Sequence, residues 1–197
     1  MSRRTPKPVD VPWGLRIQVN RPAEAVRHVL LGTDAETARS LIATVTEPAT
    51  CIKAFLPAAD MDPWFSPDWV ALDPCFLMAT DLRPAHLLVP DGYSVLTEAA
   101  DGVTAVRVFS ATGNLAAAGQ IGLTETTCVF DQIVTEPAHQ RRGLGTVVMG
   151  TLTNAAVDSG VSTGILGATV QGRALYEALG WQSLAPLTGY TYRPSTA

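Results

Sequence analysis

From Cys75 onward, short apolar runs alternate with polar residues and are separated by turn sequences. Asp101-Gly102 and Thr112-Gly113-Asn114 are two of these turns. Hairpin turns about 8–12 residues apart are typical of an antiparallel sheet, so the pattern predicts a meander of strands. The strands of the meander are Tyr93–Glu98, Val103–Ser110, Leu115–Leu123 and Thr127–Thr135, and a separate predicted strand, Cys75–Ala79, precedes them across a loop.

After the meander, the period of the apolar residues changes to that of a helix. They recur at three- and four-residue spacing from Leu144 to Ala156, and Gly160 ends the helix. The remaining predicted elements are a strand at Ser162–Thr169, a short helix at Arg173–Leu179 and two closing strands within Trp181–Arg193. This order of elements predicts an α+β fold with one crossover connection.

The first part of the chain is less regular. Residues 1–12 contain three prolines, and we expect a loosely ordered tail there. The predicted elements are a strand around Leu15–Val19, a helix at Ala23–Leu31 capped by Asn20, a helix that starts at the capping box Thr33-Asp-Ala-Glu36, and a strand at Cys51–Leu56. We therefore divide the chain into the tail 1–12, an N-terminal portion 13–92 and a core 93–197.

Residues 57–74 contain four prolines and three large aromatic residues, Trp64, Phe65 and Trp69. Two interpretations of these aromatics remain open. They hold a long loop against the core, or they form the wall of a substrate pocket.

The composition excludes several classes of protein. With 197 residues, 47% of them hydrophobic, the chain suits one compact domain or a domain with a smaller addition. A net charge of -4 argues against a nucleic-acid partner. No apolar run is long enough for a signal peptide or a membrane span, and three widely spaced cysteines favour reduced thiols, so we expect a cytoplasmic protein without a membrane partner. The three histidines lack metal-ligand spacing, which predicts no metal site.

The segment Val129–Met149 contains a strand, a loop rich in Arg and Gly, and the start of the long helix. Unpaired amides and the positive end of the helix dipole meet at such a loop, so it predicts an anion site, most naturally for phosphate. A dinucleotide fingerprint fails because Val148 stands where the third glycine is required. No Gly-Lys-Ser/Thr follows, so a P-loop fails as well. Gly160-Val-Ser-Thr-Gly164 has the letters of a hydrolase elbow but follows a helix and precedes a strand, which is the reverse of the required context.

The loop Gln140-Arg-Arg-Gly-Leu-Gly145 fits the pattern [Q/R]-x-x-G-x-[G/A], with Pro137 before it. Ala174-Leu-Tyr-Glu-Ala-Leu-Gly-Trp181 is similar to a second motif, xLYexLGF. On these residues the chain resembles the Gcn5-related N-acetyltransferases (GNAT) from about Val103 to Trp181. The resemblance implies acetyl-CoA as co-substrate. It also implies a mixed, mostly antiparallel twisted sheet with flanking helices and a central strand that splays from its neighbour at the acetyl-CoA site.

The resemblance also implies which residues hold acetyl-CoA. The pantetheine arm would pair with the splayed strand at Ile133, Val134 and Thr135. Thr169 stands where relatives often have Asn, which weakens a polar contact to the pantetheine. The diphosphate would lie in the loop that starts at Gln140, on the amides of Arg141, Arg142, Gly143, Leu144, Gly145 and Thr146.

Tyr176 matches the family tyrosine placed near the sulfur of CoA, where it acts as general acid; the alternative is a core tyrosine. Asp131, on the splayed strand, is the candidate base or a binder of a cationic substrate, with Glu125 as runner-up and water as a third source. The sequence thus predicts direct acetyl transfer to a primary amine of an unknown small molecule or peptide, with the Val134 amide polarising the carbonyl. The alternatives are a non-catalytic acyl-CoA-binding module and a structural domain. With this reaction, the N-terminal portion 13–92 would shape the acceptor side. A homodimer is permitted but not indicated.

Overall fold

The computed structural model of the chain describes residues 7–32 and 34–194. These residues form two compact units. The central unit comprises residues 78–183, and the terminal unit combines residues 7–77 with 184–194. Residues 1–6 of the predicted tail, the capping-box residue Thr33, and residues 195–197 of the predicted core lie outside the described residues.

Thirteen strands and four α-helices occur in the described ranges. The strands are β1 (Val9–Val11), β2 (Gly14–Arg21), β3 (Glu24–Leu30), β4 (Thr50–Ala54), β5 (Trp69–Ala71), β6 (Cys75–Asp81), β7 (Tyr93–Ala100), β8 (Val103–Ser110), β9 (Leu115–Leu123), β10 (Thr127–Thr135), β11 (Thr163–Thr169), β12 (Gln182–Pro186) and β13 (Thr188–Tyr192). The helices are α1 (Ala35–Thr44), α2 (Ala58–Met61), α3 (Leu144–Asp158) and α4 (Val170–Ala178), with 3₁₀ turns at Asp62–Trp64 and Pro137–His139.

A seven-stranded sheet carries the elements of the central unit, in the order β12-β6-β11-β10-β9-β8-β7. The strands β7 to β10 are antiparallel neighbours, as the meander pattern predicted. Strand β11 pairs with β10 in parallel, so α3 is the predicted crossover helix. The buried face of α3 includes Leu144, Val148 and Leu152, which confirms the predicted apolar stripe. The α+β fold class is confirmed.

A mixed sheet of six strands forms the terminal unit, in the order β1-β2-β3-β4-β13-β5. The predicted helix at Ala23–Leu31 is wrong, because β3 occupies this segment between an antiparallel neighbour, β2, and a parallel one, β4. Val26, His28 and Leu30 are buried on alternate positions of β3, which is a strand period. Asn20 adopts a left-handed φ of 56° in the hairpin instead of capping a helix. The connection through α1 is a second crossover that the sequence did not predict.

The start of the terminal unit differs from prediction in two further places. Asp34 is the N-cap of α1, and its Oδ1 accepts hydrogen bonds from the amides of Glu36 and Thr37, both at 2.9 Å. Residues 9–11 of the predicted loose tail form β1, which pairs with β2. The hairpin is tight because Gly14 has a φ of 134°, which other residues rarely adopt.

The aromatic residues of the segment 57–74 belong to the core of the terminal unit. Phe65 stacks on Tyr190 with ring centroids 4.0 Å apart, and Trp69 contacts both Phe65 and Tyr192. The hydroxyl of Tyr190 also donates a hydrogen bond to Asp62. These contacts support the interpretation that the aromatics hold the loop against the core.

His28 is a buried titratable group in this unit. Its Nδ1 accepts a hydrogen bond of 3.1 Å from Trp13 Nε1, and burial, with Arg16 nearby, lowers its pKa from 6.5 to about 4. As the pH falls, His28 therefore takes up a proton at a higher pH in the unfolded chain than in the folded chain. Above pH 6.5 the His28 ring is neutral in both states and its contribution to the free energy of unfolding is complete. This contribution is lost as the pH falls from 6.5 towards 4.

We expect the free energy of unfolding to fall less between pH 7 and pH 4.5 in His28→Asn than in the wild type. The difference should be about 2 kcal/mol after allowance for partial solvent screening. The Asn amide oxygen can still accept the Trp13 hydrogen bond. Urea titrations at both pH values measure this, with the exposed His86→Asn as matched control. If the free energy of unfolding depends on pH equally in His28→Asn and the wild type, the lowered pKa of His28 is contradicted.

Candidate active site

Strands β10 and β11 separate part of the way along their length. They pair in parallel from Thr127–Thr163 to Phe130–Leu166, and no pairing follows. The second halves of the two strands therefore face each other with free edges, as the predicted splay requires. An extended ligand with amide groups can bind to such an edge by strand addition.

A β-bulge in β10 lies directly after the point of separation. The register with β9 shifts between Asp131 and Val134, and Gln132 has a left-handed φ of 55°. One extra residue in a strand reverses the direction of the following side chains. As a result, Ile133 points towards α3 and Gly119, while Val134 is 53% exposed.

The register also decides which amides of β10 face the free edge. The Glu136 amide donates to the Ala116 carbonyl at 2.9 Å, and hydrogen-bonded pairs alternate along an antiparallel ladder. The pair Val134–Ala118 is therefore hydrogen-bonded as well, and the N–H of Val134 points at β9. By the same alternation the Thr135 amide points the other way, into the opening, while the Ile133 amide lies inside the bulge, where the alternation is interrupted. The register therefore disfavours the expectation that Val134 donates to the thioester carbonyl, because its amide belongs to the ladder between β9 and β10.

The loop after β10 has the properties predicted for an anion site. Arg141 and Gly143 adopt left-handed φ values of 61° and 77°, which are the conformations of anion-binding turns. Gly143 is the N-cap of α3, and the first bond inside the helix runs from Val147 N to Gly143 O at 3.1 Å. Within the described part of the chain, no hydrogen bond is donated by the amides of Arg141, Arg142, Gly143, Leu144, Gly145 and Thr146.

A contact at each end holds this loop in place. Gln140 Nε2 donates to the carbonyl of Thr135 at 3.3 Å, which joins the first residue of the motif to the end of β10. At the other end, a Cβ on Gly145 would lie 2.9 Å from Leu175 Cδ2. The missing side chain at Gly145 therefore lets α4 approach the first turn of α3.

Tyr176 follows Leu175 in α4 and is 7% exposed. Its ring lies beside Gly172 and 6.2 Å, centroid to centroid, from the ring of Trp181. Thr169 is the N-cap of the same helix, since its Oγ1 accepts the Gly172 amide at 3.1 Å. Thr169 is therefore placed where it fixes the start of the helix that carries Tyr176.

Asp131 is the first residue of β10 beyond the paired part of β10 and β11. Its Oδ1 accepts the Gln132 amide at 2.9 Å, and its Oδ2 lies 3.5 Å from Gln120 Nε2. Glu125, the second candidate base, is exposed in the turn before β10. The strand from Thr127 to Asp131 alone spans about 13 Å, so Glu125 lies well away from the splay.

Sequence reasoning missed Tyr93, the first residue of β7. Its hydroxyl lies 3.0 Å from His139 Nδ1 and accepts a hydrogen bond of 3.2 Å from Arg142 Nη1. No local motif marks Tyr93, because its contacts are with residues 46 and 49 positions away.

Other kinds of site find little support. Burial raises the pKa of the Cys128 thiol to about 11 and also raises that of Cys51, which disfavours the thiolate that a nucleophile needs. In residues 7–32 and 34–194, no group of three or more His, Cys, Asp or Glu side chains could hold a metal ion. None of the helices in these ranges has the length and apolar character to cross a membrane.

A model of the acetyltransferase (GNAT) family matches residues 59–181, which is more than half of the chain. The chain belongs to the GNAT acetyltransferase family. The resemblance inferred from the loop and from the motif around Tyr176 is therefore confirmed. GNAT proteins transfer acyl groups from acetyl-CoA.

Solved structures agree with the GNAT fold. A GCN5-related N-acetyltransferase from Kribbella flavida is 15% identical, with a TM-score of 0.68, over 98% of this chain and 91% of that chain. A GCN5-related N-acetyltransferase from Sphaerobacter thermophilus is 11% identical, with a TM-score of 0.64, over 92% and 78%. A GCN5-related N-acetyltransferase-like protein from Streptococcus suis 89/1591 is 10% identical, with a TM-score of 0.61, over 93% and 85%. These TM-scores show a common fold. No curated protein matches the sequence.

Proposed function

We propose that this GNAT protein transfers an acetyl group from acetyl-CoA directly to a primary amine of a small molecule or peptide. The observation that supports this best is the end of the β10–β11 pairing at Phe130–Leu166. The free edge begins there and leads to the loop with six unpartnered amides. One strand thus offers an edge for a pantetheine arm and, at its end, an anion site for a diphosphate.

The backbone of β10 would hold and polarise the thioester. Acetyl-CoA supplies the acyl carbon that the amine attacks. The N–H of Ile133 lies in the bulge, closest to the point of separation, and we assign it to the carbonyl oxygen of the thioester. The N–H of Thr135, further along the same edge, would bind the pantetheine arm. One strand would thus carry the candidate base Asp131, the carbonyl-binding amide of Ile133 and the pantetheine-binding amide of Thr135.

Two side chains would move the protons. Asp131 lies at the start of the free edge, where it can accept the amine proton through water or bind a cationic acceptor. Tyr176 would donate its phenolic proton to the departing sulfur. The raised pKa of Cys128 favours direct transfer over an acyl-cysteine intermediate.

Acceptor-dependent release of free CoA thiol tests this function. A panel of amino acids, polyamines, aminoglycosides and peptides should contain at least one amine that raises the rate above hydrolysis. With that amine, Asp131→Asn is expected to lower kcat/KM about 100-fold at pH 7. Glu125→Gln, a matched change at an exposed carboxylate, should leave the rate unchanged.

Each part of the proposal can fail separately. Binding of acetyl-CoA in calorimetry without release of thiol by any amine would favour a non-catalytic binding module. No binding at all would mean that the loop is not a diphosphate site. Equal rates in Asp131→Asn and the wild type would show that Asp131 is not the base and that water accepts the amine proton.

A further inference from the structure

Two hydrogen bonds join the loop between β10 and α3 to Tyr93, the first residue of the edge strand β7. Arg142 Nη1 and Tyr93 Oη are 3.2 Å apart, and Tyr93 Oη and His139 Nδ1 are 3.0 Å apart. The rings of Tyr93 and His139 also pack edge to face, with centroids 5.7 Å apart and an interplanar angle of 84°. The GNAT motif accounts for the loop but not for this contact.

The chemistry of these groups fixes the direction of the Arg142–Tyr93 hydrogen bond, and the His139 tautomer decides that of the other. A guanidinium only donates, so the Tyr93 oxygen accepts from Arg142. The single phenolic proton is then available for His139 Nδ1, which accepts it when the imidazole is neutral with its proton on Nε2. The donation from a charged group also makes the Tyr93 hydroxyl a better donor towards His139.

This arrangement limits the movement of the loop. His139 and Arg142 lie on either side of Gln140 and Arg141, and both are bound to the same hydroxyl. A free Arg side chain loses rotamer entropy when it is fixed. Contact with Tyr93 restricts Arg142 before any ligand arrives, and the guanidinium keeps further N–H groups for phosphate oxygens.

We propose that Tyr93 is a positioning residue for the diphosphate of acetyl-CoA, acting through Arg142 and supported by His139. The inference rests on the proposed function, because it takes the loop as the diphosphate site. The new element is that Tyr93, a residue of β7 outside the motif, increases the affinity of the loop for the diphosphate of acetyl-CoA. It also requires Tyr93 and Arg142 to act as one unit in binding.

The test measures the Kd of acetyl-CoA by calorimetry and, with an active amine, kcat and KM. Tyr93→Phe keeps the ring contact with His139 and removes only the hydroxyl. It should raise Kd and KM about five-fold, which corresponds to the usual net free energy of one hydrogen bond, with kcat at saturation unchanged. Tyr192→Phe is the matched control, since Tyr192 lies in the terminal unit, and should bind as the wild type does.

Three further comparisons separate positioning from a general structural role. Tyr93→Phe should have no added effect in an Arg142→Ala background. His139→Asn, which keeps an acceptor near the position of Nδ1, should bind more tightly than His139→Ala. The effect of Tyr93→Phe should be the same for CoA and for dephospho-CoA, because the diphosphate is common to both.

Several results would overturn the inference. Wild-type affinity in Tyr93→Phe would remove the role of the hydroxyl. Additive effects of Tyr93→Phe and Arg142→Ala would show that the two do not act together. Loss of the effect with dephospho-CoA would assign Arg142 to the 3′-phosphate instead. Tyr93-dependent CoA binding without turnover of any amine would refute the proposed catalysis and leave the inference standing.

Discussion

Tyr176→Phe is expected to lower kcat about 100-fold, with the KM for acetyl-CoA changed by less than about a factor of two. The phenolic hydroxyl is the group that would protonate the departing thiolate, and phenylalanine lacks only that group. The ring contacts with Gly172 and Trp181 are available to both side chains. Binding should therefore persist while the step that needs a proton donor slows.

Steady-state kinetics with the best amine of the panel, together with calorimetry, separates these quantities. Tyr192→Phe serves again as the control, because it removes a hydroxyl in the terminal unit. A large rise in Kd with little change in kcat would assign Tyr176 to binding. A loss of stability in Tyr176→Phe, seen in a urea titration, would instead favour a core tyrosine whose hydroxyl is needed for folding.

Gly119→Ala is expected to reduce the free energy of unfolding by about 3 kcal/mol, at the upper end of the usual cost of overpacking. A Cβ at Gly119 would lie 2.5 Å from Ile133 Cδ1, 2.7 Å from Val148 Cγ1 and 3.2 Å from Leu152 Cδ1. Gly119 is therefore the position in β9 on which the bulge residue and two residues of α3 converge. Several side chains must move together to admit one methyl group.

The double variant Gly119→Ala/Ile133→Val provides the control for this explanation. Valine lacks the Cδ1 atom that makes the shortest contact, so it should restore about 1 kcal/mol relative to the sum of the single changes. Because Ile133 also presents the amide assigned to the thioester, Gly119→Ala should raise the KM for acetyl-CoA. Unfolding in urea measures the stability. A single variant as stable as the wild type would show that the three side chains are not closely packed.

The elements nearest the site were predictable because their signals are local. The turn sequences in the meander, the apolar stripe of α3 and the two glycines of the loop each lie within one short segment. A left-handed φ at Gly143 and a close approach at Gly145 are needs that only glycine meets easily. The same residues carry the GNAT motif, so fold and family could be inferred together.

Elements whose identity depends on distant partners were less predictable. The segment of β3 contains residues that suit a helix as well as a strand, and its pairing with β2 and β4 decided the outcome. Strand β1 likewise depends on β2, since three residues have little structural preference of their own. The aromatic residues at 64–69 had two open interpretations until stacking with Tyr190 placed them in the core.

By itself, the sequence determined that a strand, a glycine-rich loop and an amphipathic helix follow one another, because that order depends on local periodicity and on the conformational freedom of glycine. Tertiary structure alone decided how this order becomes a candidate site. The bulge after Asp131 set which amides of β10 face the opening, and this depends on register with β9. The contact of Tyr93 with the loop depends on where an edge strand ends in space. Both are consequences of long-range pairing, which a local pattern does not encode.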